Sequence, residues 1–285
     1  MHTLLAMAPR AHRCSALMPL RIWALGGVLK LSWFRSEHAL CLKRLPMVLP
    51  SLVRVHEGQA RLITDGQGEI LGPATMQAWS AGRELDVEVR PDSRSGCFSA
   101  VALSFELGWL RDRPAPAGGA HCASMFRPPA ALDVAWAQLL EAWQGGAEVA
   151  HILNRVETLL SILRSERLGQ GLWSGGSEQA WSDRVRTELL SMPGRRWEAG
   201  DVAEQLRVSE ATLRRHLMQE NTCFRSLLEE VRLAKSLELL LDHPNSVAVV
   251  AARCGYESCS RFSARFQRRF GLKPSELRSG AGRRA

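Results

Sequence analysis

The chain has 285 residues and a mass of 31.6 kDa, enough for two domains of ordinary size. With 46% hydrophobic and 23% charged residues it has the composition of a soluble globular protein, which excludes a largely disordered, collagen-like or membrane-embedded chain. Its seven cysteines form no CxxC pair, and an odd number cannot close into a set of bridges, so neither a zinc ribbon nor a disulfide scaffold is expected. Lys and Arg outnumber Asp and Glu by 37 to 29, an excess that suits a polyanionic partner.

The charge is unevenly spread. Residues 1–46 carry +6, residues 47–180 carry −4 and residues 181–285 carry +6. In the first of these segments Arg10 and Arg13 precede an apolar stretch, but Arg21 and Lys30 cut it into charge-free runs of seven and eight residues. Spanning a bilayer takes about 20 apolar residues, so no transmembrane helix is expected here. Residues 1–46 read as a disordered N-terminal extension or as an artefact of start-codon choice.

From residue 49 to 105 the pattern is of short strands: 52–55, 60–63, 69–71, 85–89 and 98–105, separated by turn residues such as Gly58, Asp65-Gly66 and Gly72-Pro73. Leu85, Val87 and Val89 alternate with Asp86, Glu88 and Arg90, the period of a half-buried strand. Such strands suggest a small sandwich or barrel. The periodicity then turns helical. Leu132, Ala135, Trp136, Leu139, Leu140 and Trp143 form one stripe that Gly145-Gly146 ends. A second helix over 149–167 carries Leu153, Val156, Leu160 and Leu163 on one face, and this stripe is expected to form a dimer seam. Residues 47–168 thus read as one domain, and the Gly- and Ser-rich residues 169–180 as a linker.

Residues 181–280 are helical throughout and contain a repeat. Val202, Ala203, Leu206 and Val208 recur 48 positions later as Val250, Ala251, Cys254 and Tyr256. Beyond the turn the offset is 49, pairing Ser209, Leu213 and Leu217 with Ser258, Phe262 and Phe266. Each unit is a short helix, a tight turn and a longer helix opened by a serine N-cap, which is the form of a helix-turn-helix.

What lies outside the apolar positions favours DNA reading. In the first unit the free face carries Ala211, Arg214, Arg215 and Met218. In the second, Ser258, Ser260, Arg261, Ser263, Ala264, Arg265, Arg268 and Arg269 surround the two phenylalanines. Arginine addresses guanine bidentately or holds phosphate, and small residues let a helix sit deep in a major groove. A helix over 224–242 joins the units. At ~1.5 Å per residue it is about 28 Å long, near the ~34 Å between successive major grooves on one DNA face. Residues 281–285 form a basic tail.

Residues 181–280 resemble the DNA-binding region of the AraC/XylS family of bacterial transcription regulators. The resemblance is carried by Val250-Ala251-Ala252-Arg253-Cys254-Gly255-Tyr256-Glu257-Ser258, by Phe262 and Phe266, and by Arg268-Arg269-Phe270-Gly271-Leu272-Lys273-Pro274-Ser275-Glu276-Leu277-Arg278. Asn221 stands where a glycine is usual after the first recognition helix, and Asn tolerates the left-handed conformation. Ser236 replaces a usual alanine in the connecting helix, and Ala264 replaces an arginine common in the second reader.

The resemblance implies an α+β chain: a small cupin-like β-barrel with two helices, used for sensing and dimerisation, then an all-α tandem helix-turn-helix domain. It implies a cytoplasmic, nucleoid-associated regulator, usually an activator and not an enzyme. The implied partners are double-stranded promoter DNA, RNA polymerase, a second copy of the chain and a small-molecule or protein effector. No membrane, cofactor or metal is expected, since His56 stands alone without a second histidine and carboxylate at ligand spacing. The alternative is a metal-dependent cupin enzyme fused to a DNA reader.

Overall fold

The computed structural model describes residues 20–25, 27–64, 66–116, 125–173, 180–242 and 245–278. The basic tail, residues 1–19 and part of the expected linker lie outside these residues.

The described residues form ten strands. They are β1 (Leu20–Leu25), β2 (Leu29–Ser36), β3 (Leu40–Met47), β4 (Ser51–Glu57), β5 (Gln59–Thr64), β6 (Gln67–Leu71), β7 (Met76–Trp79), β8 (Arg83–Arg90), β9 (Phe98–Phe105) and β10 (Met125–Phe126). They make two sheets of antiparallel pairs, one in the order β1-β2-β9-β4-β7-β10 and the other β3-β8-β5-β6. The strands expected between 52 and 105 are all present. The disordered extension is not: residues 20–47 form β1, β2 and β3. Alternation supplies the reason, since Leu29 and Leu31 of β2 are buried against the helices while Lys30 between them points to the other face. The charges at Arg21 and Lys30 that rule out a membrane helix belong to a strand pattern.

Val55, Leu62, Leu71, Trp79, Leu85, Val89 and Phe98 pack together between the two sheets. The outer face of the six-stranded sheet is covered by α2 (Ala130–Gln144) and α3 (Val149–Ser165), with α1 (Leu107–Arg111) at its edge. Leu52, Met76, Val101 and Leu103 from the strands meet Trp136, Leu139, Leu159 and Leu160 from the helices. Val156, Leu160 and Leu163 are fully buried here and Leu153 packs at the edge of the cluster. The expected dimer seam is therefore intramolecular core: an apolar helix face beside an apolar sheet face buries against it first. The start of the expected linker is also built in, because a 3-10 turn at Gln170–Leu172 buries Leu172 and brings Gly171 against the Ala78 carbonyl.

The C-terminal domain comprises α4 (Trp181–Ser191), α5 (Ala199–Gln205), α6 (Glu210–Gln219), α7 (Phe224–Asp242), α8 (Val247–Arg253), α9 (Cys259–Phe270) and α10 (Pro274–Arg278). The connecting helix α7 has the bounds its periodicity predicts, and it serves two cores. Leu227 and Val231 pack with Val185, Trp197, Leu213 and Leu217 of the first unit. Leu233, Leu237 and Leu241 pack with Val250, Phe262, Phe266 and Phe270 of the second. Leu42 of β3 enters that second core, so the sheet domain rests on the second unit. Ser236 is fully buried without penalty because its hydroxyl donates to the Leu233 carbonyl at 2.8 Å.

Candidate nucleic-acid interface

The repeat sets both recognition helices in the same way. Ser209 accepts the Thr212 N–H at 3.1 Å to open α6, and Ser258 accepts the Arg261 N–H at 3.3 Å to open α9. The turns before them match as well. Arg207 and Gly255, 48 positions apart, both take the left-handed conformation, with φ of 57° and 76°. After α6 the chain leaves through Asn221 at φ 54°, the conformation that asparagine tolerates.

On α6, Leu213 and Leu217 face inward, leaving Ala211, Arg214, Arg215 and Met218 exposed. Met218 is 71% exposed, unusual for a large apolar side chain with nothing of its own chain to cover it. Arg214 pairs with Glu210 one turn earlier. This reader is braced from behind: the Glu220 carboxylate accepts the backbone N–H groups of Trp181 and Ser182 at 2.6 and 2.9 Å, and the Trp181 ring stacks on His216 at 4.4 Å.

On α9 the expected residues divide. Ser260, Arg261, Ala264 and Arg268 are exposed, and Ser263 and Arg265 are half-buried. The Ser258 hydroxyl is committed to its capping bond and to a contact with the Ser260 hydroxyl at 2.9 Å. Arg265 and Arg268 both hold Glu229 of α7 at 3.1 Å. Arg269 does not belong to the reading face. Its side chain is 12% exposed and meets Glu84 of β8 at 2.6 Å. The reason is helical spacing: Arg269 lies three residues after Phe266 and seven after Phe262, on the side of α9 that turns toward the sheet domain.

Three residues that sequence reasoning missed lie on the same side of the domain. Cys259, the first residue of α9, is exposed beside Ser260. Arg225 in the first turn of α7 and Arg196 before α5 are exposed and line an open groove of about 560 Å³ with Arg232, Arg261 and Arg265. Arg225 was legible, since 225, 229 and 232 form a polar stripe on α7 outside its apolar positions; Arg196 lies in a loop with no periodic signal. Arg232 plays another part. It donates to the carbonyls of Pro193 at 3.3 Å and Arg195 at 2.9 Å, and its burial pulls the guanidinium pKa down from its ordinary value.

The cysteine on the inner side of the second turn is chemically quiet. Burial pushes the Cys254 thiol up to about 11. In the sheet domain, His56 stacks on Trp33 with ring centroids 6.2 Å apart, and burial, followed by the nearby Arg54 charge, lowers it to about 4. Two residues link the domains electrostatically from the other side: Lys30 of β2 pairs with Glu238 of α7, which Lys235 also contacts at 3.1 Å.

Comparison with known proteins agrees with this geometry. Residues 202–280 match a family model described as a helix-turn-helix domain. The chain is 28% identical over 128 residues to the transcriptional activator CfaD of Escherichia coli, covering 45% of this chain and 48% of that protein. It is 38% identical over 93 residues to the E. coli urease operon transcriptional activator, covering 32% and 31%, and 32% identical over 101 residues to the regulator GadX of E. coli K12, covering 35% and 37%. The chain therefore spans about half or less of the length of the curated relatives it matches. Among solved structures, ToxT from Vibrio cholerae O395 superposes with a TM-score of 0.63 at 13% identity, over 89% of this chain and 98% of that one. ToxT from strain SCE256 with unsaturated fatty acid bound gives 0.61 at 12%, over 92% and 100%. At such identities the likeness is one of fold, and it extends over both domains.

Proposed function

We propose, for a chain that belongs to the AraC/XylS family through its C-terminal helix-turn-helix domain, that it is a sequence-specific transcription regulator, and an activator, that reads two successive major grooves with α6 and α9. The observation that carries this reading is the pairing of two identically capped helices, each with an outward polar face, at the ends of a single 19-residue helix. A rigid connector of that length suits readers one helical turn apart on the same face of a duplex. The curated relatives are named as transcriptional activators and regulators, which supports activation as the outcome.

On this reading, promoter DNA, RNA polymerase and a second copy of the chain are the partners, and the protein works at the nucleoid in the cytoplasm. Among the described residues no helix is long and apolar enough to cross a membrane. The sheet domain receives an effector. The fatty-acid-bound state of ToxT supports a small molecule in that role. The Lys30–Glu238 pair gives such a ligand a route to the readers, since it joins a strand of the sheet domain to the helix that connects them.

The test is recovery of genomic fragments on the full-length protein, followed by titration across salt. If about six phosphates are neutralised, log K against log salt has a slope near −5. Failure to enrich any sequence, or an affinity independent of salt, sinks the reading.

A further inference from the structure

The open groove that runs from the first turn of α7, just after α6, past the loop before α5 to the start of α9 has its own charge balance. Five guanidinium groups and two carboxylates, those of Glu229 and Glu257, line it. Arg265 is held by Glu229, and Arg232 donates to two backbone carbonyls. Arg196, Arg225 and Arg261 remain, exposed and with no side-chain partner among the described residues. We propose that this groove seats the phosphate backbone of the DNA segment lying between the two half-sites, with Arg196, Arg225 and Arg261 as its cationic contacts. The proposal rests on the DNA-reading function and adds to it a third contact region that neither recognition helix supplies alone.

The groove is preformed. Its floor is made where the loop before α5 meets the turn between α8 and α9. A Cβ on Gly194 would lie 2.3 Å from the Arg253 carbonyl oxygen, and one on Gly255 would lie 2.7 Å from the Arg232 guanidinium. Only glycine permits that approach at both positions, and the positive φ at Gly255 favours it further. Arg232 then ties α7 to the loop, with its guanidinium 5.9 Å from the Tyr256 ring centroid. The three unpartnered arginines thus rise from three different elements, the loop, α7 and α9, that are locked to one another.

Position selects the occupant. Between two major grooves on one face of a duplex lies a minor groove with its two bordering phosphate strands, and these face whatever lies between the readers. Three cations against one carboxylate not already held by an arginine suit phosphate oxygens, which arginine binds in a planar fork. Such contacts fix register and carry no direct base information. The central base pairs of the operator are then sensed through groove width alone.

The experiment uses full-length protein and a recovered duplex with two half-sites. Affinity is measured across salt for the wild type, Arg225→Ala, Arg225→Lys and the double variant Arg196→Ala/Arg225→Ala. Each lost phosphate contact is expected to flatten the log–log slope by about 0.9, with base preferences from a randomised operator unchanged and with Arg225→Lys close to wild type. Neutral methylphosphonates at the central phosphates should weaken the wild type several-fold and weaken the double variant, which keeps only Arg261, clearly less. An unchanged slope, an altered base preference, or equal sensitivity of both proteins to the methylphosphonates overturns the groove proposal while leaving DNA reading intact. A rise in melting temperature with millimolar inorganic pyrophosphate that the double variant loses, without any slope change on DNA, makes the groove a small-anion site and overturns it too. A wild type that binds no duplex refutes both the DNA reading and the groove.

Discussion

Glu84 of β8 and Arg269 of α9 stand 2.6 Å apart, and through them the last turn of the second reader is fastened to the sheet domain. The same turn ends at Gly271, whose missing side chain leaves room for Lys43 of β3. An arginine inside a basic run is therefore a strut between domains. Arg269→Ala is expected to leave the salt slope of DNA binding unchanged and to cost about 1–2 kcal/mol of stability, since the pair is only partly screened by water. Thermal melts of Arg269→Ala, Glu84→Gln and the double variant check this through their coupling. A slope flattened by about one in Arg269→Ala would return the residue to the DNA face.

The α3 stripe gives a second test. Leu160 is fully buried among Met76, Val101 and Trp136. Leu160→Asp therefore places an unpaired charge in a core, which costs several kcal/mol. The expected result is loss of cooperative unfolding and of soluble sheet domain. A well-folded variant whose only change is a smaller oligomeric mass would restore the seam.

His56 makes the sheet domain sensitive to pH. Its folded pKa of about 4 lies below the ordinary 6.5, so the unfolded chain binds the proton more tightly. The corresponding stability is fully present above pH 6.5 and is lost as pH falls toward 4. A depression of that size corresponds to roughly 3 kcal/mol. Melting temperature against pH should fall through this window in the wild type and fall less in His56→Gln. Parallel curves would contradict it.

The helical half was legible because its signals are local and repeated. Ser209 and Ser258 announce helix starts, and the apolar positions of 224–242 mark one long helix whose ends the structure reproduces. The strands from 51 to 105 were legible by alternation, by the turn residues between them or, for β9, as one apolar run buried along its length, except β7, where Met76, Gln77, Ala78 and Trp79 are all buried in a run too short to stand out. β1, β2 and β3 were lost for a different reason. Their charges looked like interruptions of an apolar run, while Lys30 is the pairing partner of Glu238, more than two hundred residues away. Contacts distant in sequence likewise hid the roles of Arg269 and of α3. Periodicity says which face of a helix is apolar, and only the folded chain says what covers it.

Arg214 and Arg215 on the exposed face of α6 carry the most direct consequence of a two-reader protein. The decisive measurement is a base-resolved interference footprint of the full-length protein on a recovered operator, repeated with Arg214→Ala and Arg215→Ala. Two major-groove tracts are expected on one face of the duplex, with centres about 10–10.5 base pairs apart. Either substitution should relax base preference within one tract, at a cost of about 1–3 kcal/mol, and leave the other unchanged. A single tract, tracts on opposite faces, or a uniform weakening with no change in base preference would contradict the account.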